Sequence, residues 1–169
     1  STRFPGKPLA LISGKPMVQH VYERCKELLE HVYIATDDDR IAQVVRSFGG
    51  SYILTDANHP SGTDRVAEIA AQMPDYQLVI NLQGDEPFIQ PEQIERLILF
   101  LKKNKKFKIG TLAKRIEATE DLKNHNVVKA VFSQKTGRAV YFSRAAVPFV
   151  RKNVVDNVVE VLNLDDVEM

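Results

Sequence analysis

The sequence predicts an α/β protein with a mainly parallel sheet covered by helices on both faces, followed by a smaller, more antiparallel segment. Three observations predict it. Between residues 17 and 104, β-rich runs alternate at least three times with apolar residues at helical spacing, the pattern of βαβ units. Beyond residue 105 the alternation gives way to three strand-like runs in succession. The length of 169 residues suits one domain with its own core.

Each element has a local reason. Residues 17–29, MVQHVYERCKELL, put Val18, Val21, Tyr22, Cys25, Leu28 and Leu29 on one helical face. HVYIAT (31–36) reads as a strand ending in three aspartates, of which Asp37 or Asp38 can cap the next helix. In that helix Ile41, Val44, Val45 and Phe48 point inward, and Gly49-Gly50 stops it. SYILT (51–55) is the next strand. A polar loop follows, then a helix with Val66, Ile69, Ala70 and Met73 inward. QLVINLQ (77–83) reads as a third strand, and residues 91–104 as a helix with Pro91 in its first turn and lysines at its end. In the second part, 108–116, 126–133 and 139–145 read as strands, with a hairpin turn at 134–138 between the last two. The valine-rich stretch after residue 150 fits one strand and the start of a helix.

Composition narrows the function classes. Apolar residues make up 44% and charged residues 27%, as in soluble globular proteins. The net charge of +1 offers no global field for nucleic acid. No apolar run is long enough to span a bilayer, and no signal peptide is visible. The expected compartment is therefore the cytoplasm. The single cysteine, Cys25, sits in the apolar pattern of a helix and is expected to be a core thiol.

Ligands of open α/β sheets bind outside the carboxyl ends of the strands. That rule selects the loops at 37–39, 56–65 and 83–87. In the last of these, Gln83, Asp85 and Glu86 follow the third predicted strand. A carboxylate there suits Mg²⁺, which takes one or two hard oxygens from protein and the rest from water and phosphate; a second carboxylate elsewhere is expected. In HPSGTDR (59–65), Ser61, Thr63 or Asp64 can cap the following helix, whose free N–H groups suit an anion or a base edge. His59 has no metal-ligand partner at useful spacing and reads as a loop histidine. The opening stretch STRFPGKPL (1–9) holds Ser1, Arg3 and Lys7 around Gly6, between two prolines that stiffen it. It offers two cations to phosphates but is not a Walker A loop. Arg144 follows an aromatic strand and is a candidate to grip a carboxylate.

Taken in order, STRFPGKPL, ATDD, HPSGTDR, NLQGDEPFI and VYFSRAAVPF resemble the 3-deoxy-manno-octulosonate cytidylyltransferase family, over residues 1–151. The resemblance implies a Rossmann-like nucleotidyltransferase fold, with 1–169 a single such domain. It implies CTP and 3-deoxy-D-manno-octulosonate (Kdo) as substrates, Mg²⁺ as cofactor, and a homodimer serving lipopolysaccharide biosynthesis. By position, Ser1, Arg3 and Lys7 match the family's triphosphate loop. Ser61, Gly62 and Thr63 match the loop near the cytosine, Gln83 a residue near the sugar, Asp85 the metal ligand and Arg144 a sugar-site arginine. Arg3, Lys7 and Asp85 are the implied catalytic set. The family also carries a first strand and an arginine upstream of Ser-Thr-Arg, which this sequence does not show. The family continues past Ser-Arg-Ala into dimer-forming and sugar-binding segments and a second metal-binding aspartate; residues 152–169 look short for these, and Asp165 or Asp166 is expected to be a remnant of that terminal region. The rivals are activation of another acid sugar, such as a sialic acid, and a nucleotide-binding module without turnover.

Overall fold

Residues 6–149 are described by the computed structural model, and the chain separates into two units, Ser1–Gly110 and Thr111–Met169. Ser1, Arg3, Asp165, Asp166 and the valine-rich stretch lie outside the described residues.

The first unit opens with Gly6 at φ 75°, a left-handed conformation that costs glycine little, leading into a 3₁₀ turn at Lys7–Leu9. A small antiparallel hairpin follows, β1 (Leu11–Ile12) and β2 (Lys15–Pro16). Ser13 and Gly14 join them at φ 51° and 79°. Positive φ at both central residues is the signature of a type I′ turn, whose twist suits a hairpin. Two-residue strands show no alternation, so the sequence pattern does not reveal this hairpin.

Helix α1 (Met17–Lys26) buries Val18, Val21 and Cys25. It ends three residues before the predicted limit, yet the N–H groups of Leu28 and Leu29 still donate to the Cys25 carbonyl at 3.2 and 2.8 Å. This last irregular turn keeps both leucines against the cluster of Val21, Cys25 and Ile94, which is why the helical spacing reads through it. Burial pushes the Cys25 thiol pKa up, as expected of a core thiol rather than a reactive one.

Strand β3 (Ile34–Thr36), helix α2 (Asp39–Ser47) and strand β4 (Tyr52–Leu54) form the predicted βαβ unit. The strands are parallel, with Ile34 opposite Tyr52 and Thr36 opposite Leu54. Of the two candidate caps, Asp38 is the one used: it accepts from the Arg40 N–H at 2.9 Å. Gly49, at φ 75°, ends α2, and the Gly49 and Gly50 N–H groups donate to the carbonyls of Arg46 and Val45, the paired bonds of a Schellman motif. Ala42 and Val45 are the buried residues of α2. Helix α3 (Gly62–Ala71) starts at Ser61, which accepts from the Asp64 N–H, and buries Ile69.

Residues 77–83 depart from expectation. Leu78, Ile80 and Leu82 alternate inward against exposed Val79, Asn81 and Gln83, and Ile80 and Leu82 pack on the core. Among the described residues, however, no strand ladder includes this segment. Period-two burial needs only an extended chain over an apolar layer; a ladder also needs a neighbouring strand in register. Helix α4 (Pro91–Lys103) follows as predicted, with Pro91 at its start, the Gln90 N–H donating to Gln93 Oε1 at 3.0 Å, and Ile94 buried. A cleft of about 690 Å³ runs through this unit between β3, α1, α3 and residues 78–84. It is mostly apolar, and polar where Thr36, Arg65, Asn81 and Gln83 line it.

In the second unit, the short helix α5 (Thr119–Lys123) precedes an antiparallel hairpin, β5 (Lys129–Phe132) and β6 (Ala139–Ser143). Lys129 lies opposite Ser143 and Val131 opposite Tyr141, with an irregularity between Val131 and Phe132. The predicted turn is there: the Gly137 N–H, at φ 65°, donates to the Ser133 carbonyl at 2.8 Å. The predicted strand at 108–116 is not among the described strands. Ile109 is 89% exposed and gains nothing from packing, and β-propensity is expressed mainly through such packing. Among the described residues the architecture is thus α/β, with one parallel strand pair and two antiparallel ones. No helix among the described residues is long and apolar enough to cross a membrane.

Candidate functional site

The loop before β1 and the loop after residue 83 meet through their charges. Lys7 Nζ donates to Asp85 Oδ2 at 2.7 Å, joining residues 78 apart in the chain. Both side chains remain accessible, at 39% and 45% exposure, so the pair contributes little to stability and stays open to a ligand. The turn that presents Asp85 is fixed by its backbone: the Glu86 N–H donates to the Gln83 carbonyl at 3.2 Å.

The start of α3 meets the same loop. Asn81 Nδ2 donates to Thr63 Oγ1 at 3.3 Å, and Gln83 Nε2 donates to Asn81 Oδ1 at 3.1 Å. The Gln83 amide lies over Gly62, where an added Cβ would come within 3.3 Å of Gln83 Oε1. A side chain there would push the amide aside, so the absence of one at residue 62 permits this approach. Gly62 and Thr63 from one selected loop and Gln83 from another are one cluster. Asn81 is the link the sequence reading missed. Its signal is a carboxamide on the exposed side of an otherwise apolar run.

Ser61 is occupied by its own helix. Its hydroxyl donates to Asp64 Oδ2 at 2.5 Å and accepts from the Asp64 N–H at 3.2 Å, a reciprocal cap. Around it, side chains of α3 fasten the loops at the carboxyl ends of β3 and β4. Arg65 Nη2 meets Asp37 Oδ1 at 3.1 Å, and its Nη1 donates to Thr55 Oγ1. His59 pairs with Glu68, whose carboxylate also accepts from the Asp56 N–H at 3.2 Å. The hydrogen bond from His59, then that from the Asp56 backbone, lowers the Glu68 pKa below the usual range. His59 is therefore a loop histidine, as read, but one tied to a carboxylate. Arg65 and Glu68 lie three residues apart on α3, a spacing that puts them on one face.

In the second unit, Arg144 is exposed. Its Nη1 donates to the His125 carbonyl at 3.0 Å, and among the described residues it forms no ion pair with a carboxylate. Lys129, 2% exposed, donates to the Arg144 carbonyl at 3.0 Å.

These features can be set beside known proteins. Residues 1–163 match the model of the cytidylyltransferase family. A 3-deoxy-manno-octulosonate cytidylyltransferase of Thermodesulfovibrio yellowstonii is 52% identical over 164 residues, covering 92% of this chain and 64% of its own length. The protein of the same name from Geobacter sulfurreducens is 51% identical over 153 residues, covering 89% and 60%. A solved structure of CMP:2-keto-3-deoxy-manno-octonic acid synthetase complexed with CTP superposes with a TM-score of 0.82 at 42% identity, over 90% of this chain and 63% of that one. The chain spans about three fifths of the length of these relatives. A family match that takes in every described residue, joined to half-identical relatives and a shared fold, leaves one assignment: the chain belongs to the cytidylyltransferase family.

Proposed function

We propose that the protein transfers CMP from CTP to Kdo, releasing pyrophosphate. The observation that carries this reading is the Lys7–Asp85 pair, which sets a cation and a carboxylate side by side at the carboxyl end of the extended segment 77–83. Relatives about half identical to this chain bear the name of that activity, and the solved neighbour was determined with CTP.

In the proposed reaction the anomeric hydroxyl oxygen of Kdo attacks the α-phosphorus of CTP. The bond from that phosphorus to the bridging oxygen breaks, and pyrophosphate leaves with the electron pair. The hydroxyl proton passes to solvent, since no motif residue is an evident general base. The protein contributes position and charge. Lys7, with Arg3, faces the outer phosphates and stabilises the departing pyrophosphate. Gly62 and Thr63 receive the base end of the nucleotide, and Ser61 supports them by capping α3. Gln83 faces the sugar. Arg144 grips the Kdo carboxylate as a fork, which a lysine could not imitate.

Mg²⁺ fits this arrangement. Among the described residues no cluster of three or more His, Cys, Asp or Glu could hold a metal, so a fully protein-ligated site is not on offer there. Asp85 supplies one accessible hard-oxygen donor that already attracts a cation, Lys7, and one such donor suffices when phosphate and water complete the shell. When bound there, Mg²⁺ supplies Lewis-acid neutralisation of phosphate charge. The same reading carries a homodimer, a cytoplasmic location and a place in lipopolysaccharide biosynthesis, each resting on the family resemblance.

The deciding measurement is pyrophosphate release by the purified protein with CTP, Mg²⁺ and an acid sugar. Release with Kdo supports the proposal. Release with N-acetylneuraminic acid alone would transfer the activity to another sugar, and no release with either would leave a nucleotide-binding module.

A further inference from the structure

Lys129 is a buried cation with no carboxylate partner among the described residues. It is 2% exposed, and charged side chains so deeply buried are normally paired. Its three ammonium protons instead meet three backbone carbonyls, those of Asn124 at 2.7 Å, Val127 at 2.9 Å and Arg144 at 3.0 Å. Lysine has three donors and no acceptor, so the group is saturated. Two of these carbonyls belong to the loop between α5 and β5, and the third to the residue that follows β6.

A second contact of this loop reaches Arg144 through its side chain. The Arg144 guanidinium donates to the His125 carbonyl at 3.0 Å. Asn124 shapes the loop, its side chain accepting from the Asn126 N–H at 2.9 Å and its carbonyl from the Val127 N–H at 3.1 Å. On the other side, Ser143 Oγ donates to the Ala145 carbonyl at 3.0 Å. Arg144 is thus held by its backbone through Lys129 and by its side chain through His125, and both anchors arise from residues 124–129. Three carbonyl oxygens pointing at one place repel one another unless a cation sits between them. A neutral side chain of the same length would fill the space but take a charged donor from all three carbonyls, leaving that of Asn124 only the Val127 N–H.

We infer that Lys129 is a positioning residue for Arg144: its ammonium gathers the Asn124, Val127 and Arg144 carbonyls and so fixes the direction in which the guanidinium meets the carboxylate of an acid sugar. This rests on the proposed role of Arg144, so the test separates the two.

The variants are Lys129→Gln, Lys129→Met, Arg144→Ala and the double variant Lys129→Gln/Arg144→Ala. Hydrogen exchange reads the anchoring without substrate. Lys129→Gln is expected to speed exchange of the amides at 124–127 and 143–145 about tenfold, the loss of hydrogen bonds to a charged group. Steady-state kinetics read the consequence. Lys129→Gln and Lys129→Met raise KM for Kdo about tenfold and leave KM for CTP within about twofold, and Lys129→Gln adds nothing once Arg144 is alanine. Unchanged exchange in folded Lys129→Gln overturns the anchoring. So does an equal rise of KM for both substrates, or a double variant whose effects simply multiply. If neither Lys129 variant folds, the lysine is a structural strut and the positioning role falls. Faster exchange with an unchanged KM for Kdo in Arg144→Ala overturns the role of Arg144 instead, leaving the anchor standing.

Discussion

The two units secure their loops in opposite ways. At the carboxyl ends of β3 and β4, side chains pair: Arg65 with Asp37 as an ion pair, and Glu68 with His59 by a hydrogen bond. Around Arg144 a single positive charge, Lys129, is enclosed by carbonyl dipoles. The first arrangement is distributed. Each pair is partly exposed and losing one leaves the others. The second is concentrated in one ammonium, whose removal takes a donor from three acceptors at once. The first unit also covers its apolar residues better. Val18, Val45 and Ile94 are 2%, 0% and 3% exposed, whereas along β6 Val140, Tyr141 and Phe142 are 71%, 59% and 51% exposed. A distributed set of weak ties suits loops that must receive a ligand without collapsing. A concentrated one suits a single side chain whose direction matters.

The largest effect expected in the first unit falls on chemistry rather than stability. Asp85→Asn should lower kcat about 10²- to 10³-fold, the loss of several kcal/mol of charge stabilisation on the phosphates. The melting temperature should hardly move, because the Lys7–Asp85 pair is exposed and worth about 0–1 kcal/mol. Pyrophosphate release at saturating and at limiting Mg²⁺, alongside a thermal melt, checks both halves. Wild-type turnover at limiting Mg²⁺ would remove Asp85 from the metal's shell.

A middle-sized effect tests whether the ties of the first unit are distributed. Arg65→Met keeps the stem and removes the bonds to Asp37 and Thr55. It should cost about 2 kcal/mol in a urea titration, as for hydrogen bonds to a charged group. His59–Glu68 should survive, so KM for CTP should rise only a few-fold. A collapse of CTP binding instead would mean that Arg65 alone holds the loops, and the contrast with Lys129 would disappear.

How much of this was legible in the sequence follows from range. Helical spacing marks α1 to α4, and Gly49 marks a helix end, because those signals lie within a turn or two of chain. The turn at 134–138 was visible for the same reason. The ladder state of 77–83 was not, since alternation reports burial and says nothing of a neighbour's register. The run at 108–116 misled because β-rich composition does not itself supply a neighbouring strand in register. In the site, Lys7, Asp85, Gly62, Thr63 and Gln83 could be chosen by motif, but which of them touch could not. Asn81, Arg65, Glu68 and Lys129 were passed over because each acts through a partner distant in sequence or through backbone carbonyls, which leave no trace in residue identity.

The smallest expected effect sharpens the account of the exposed charges. Asp38 caps α2 and also meets Arg40, whose Nη2 donates to Asp38 Oδ2 at 2.6 Å. The side-chain bond from Arg40 is the main cause that lowers the Asp38 pKa to about 2. A carboxylate whose folded pKa lies below its unfolded value adds stability above the unfolded value and loses it as pH falls through the folded one. The contribution should therefore be full above about pH 5 and fade between about 4 and 2. Arg40 is 68% exposed, so solvent screening holds the contribution to about 0.5 kcal/mol. Asp38→Asn isolates this term, because asparagine caps a helix as well as aspartate does. The variant should be less stable than the parent by about that amount at pH 7, and the two should converge as the pH falls toward 2. Urea titrations at pH 7, 4 and 2.5 measure it. A difference that persists undiminished at the lowest pH would assign the loss to the cap geometry, and with it the weight of the α2 start would pass from charge to hydrogen bonding.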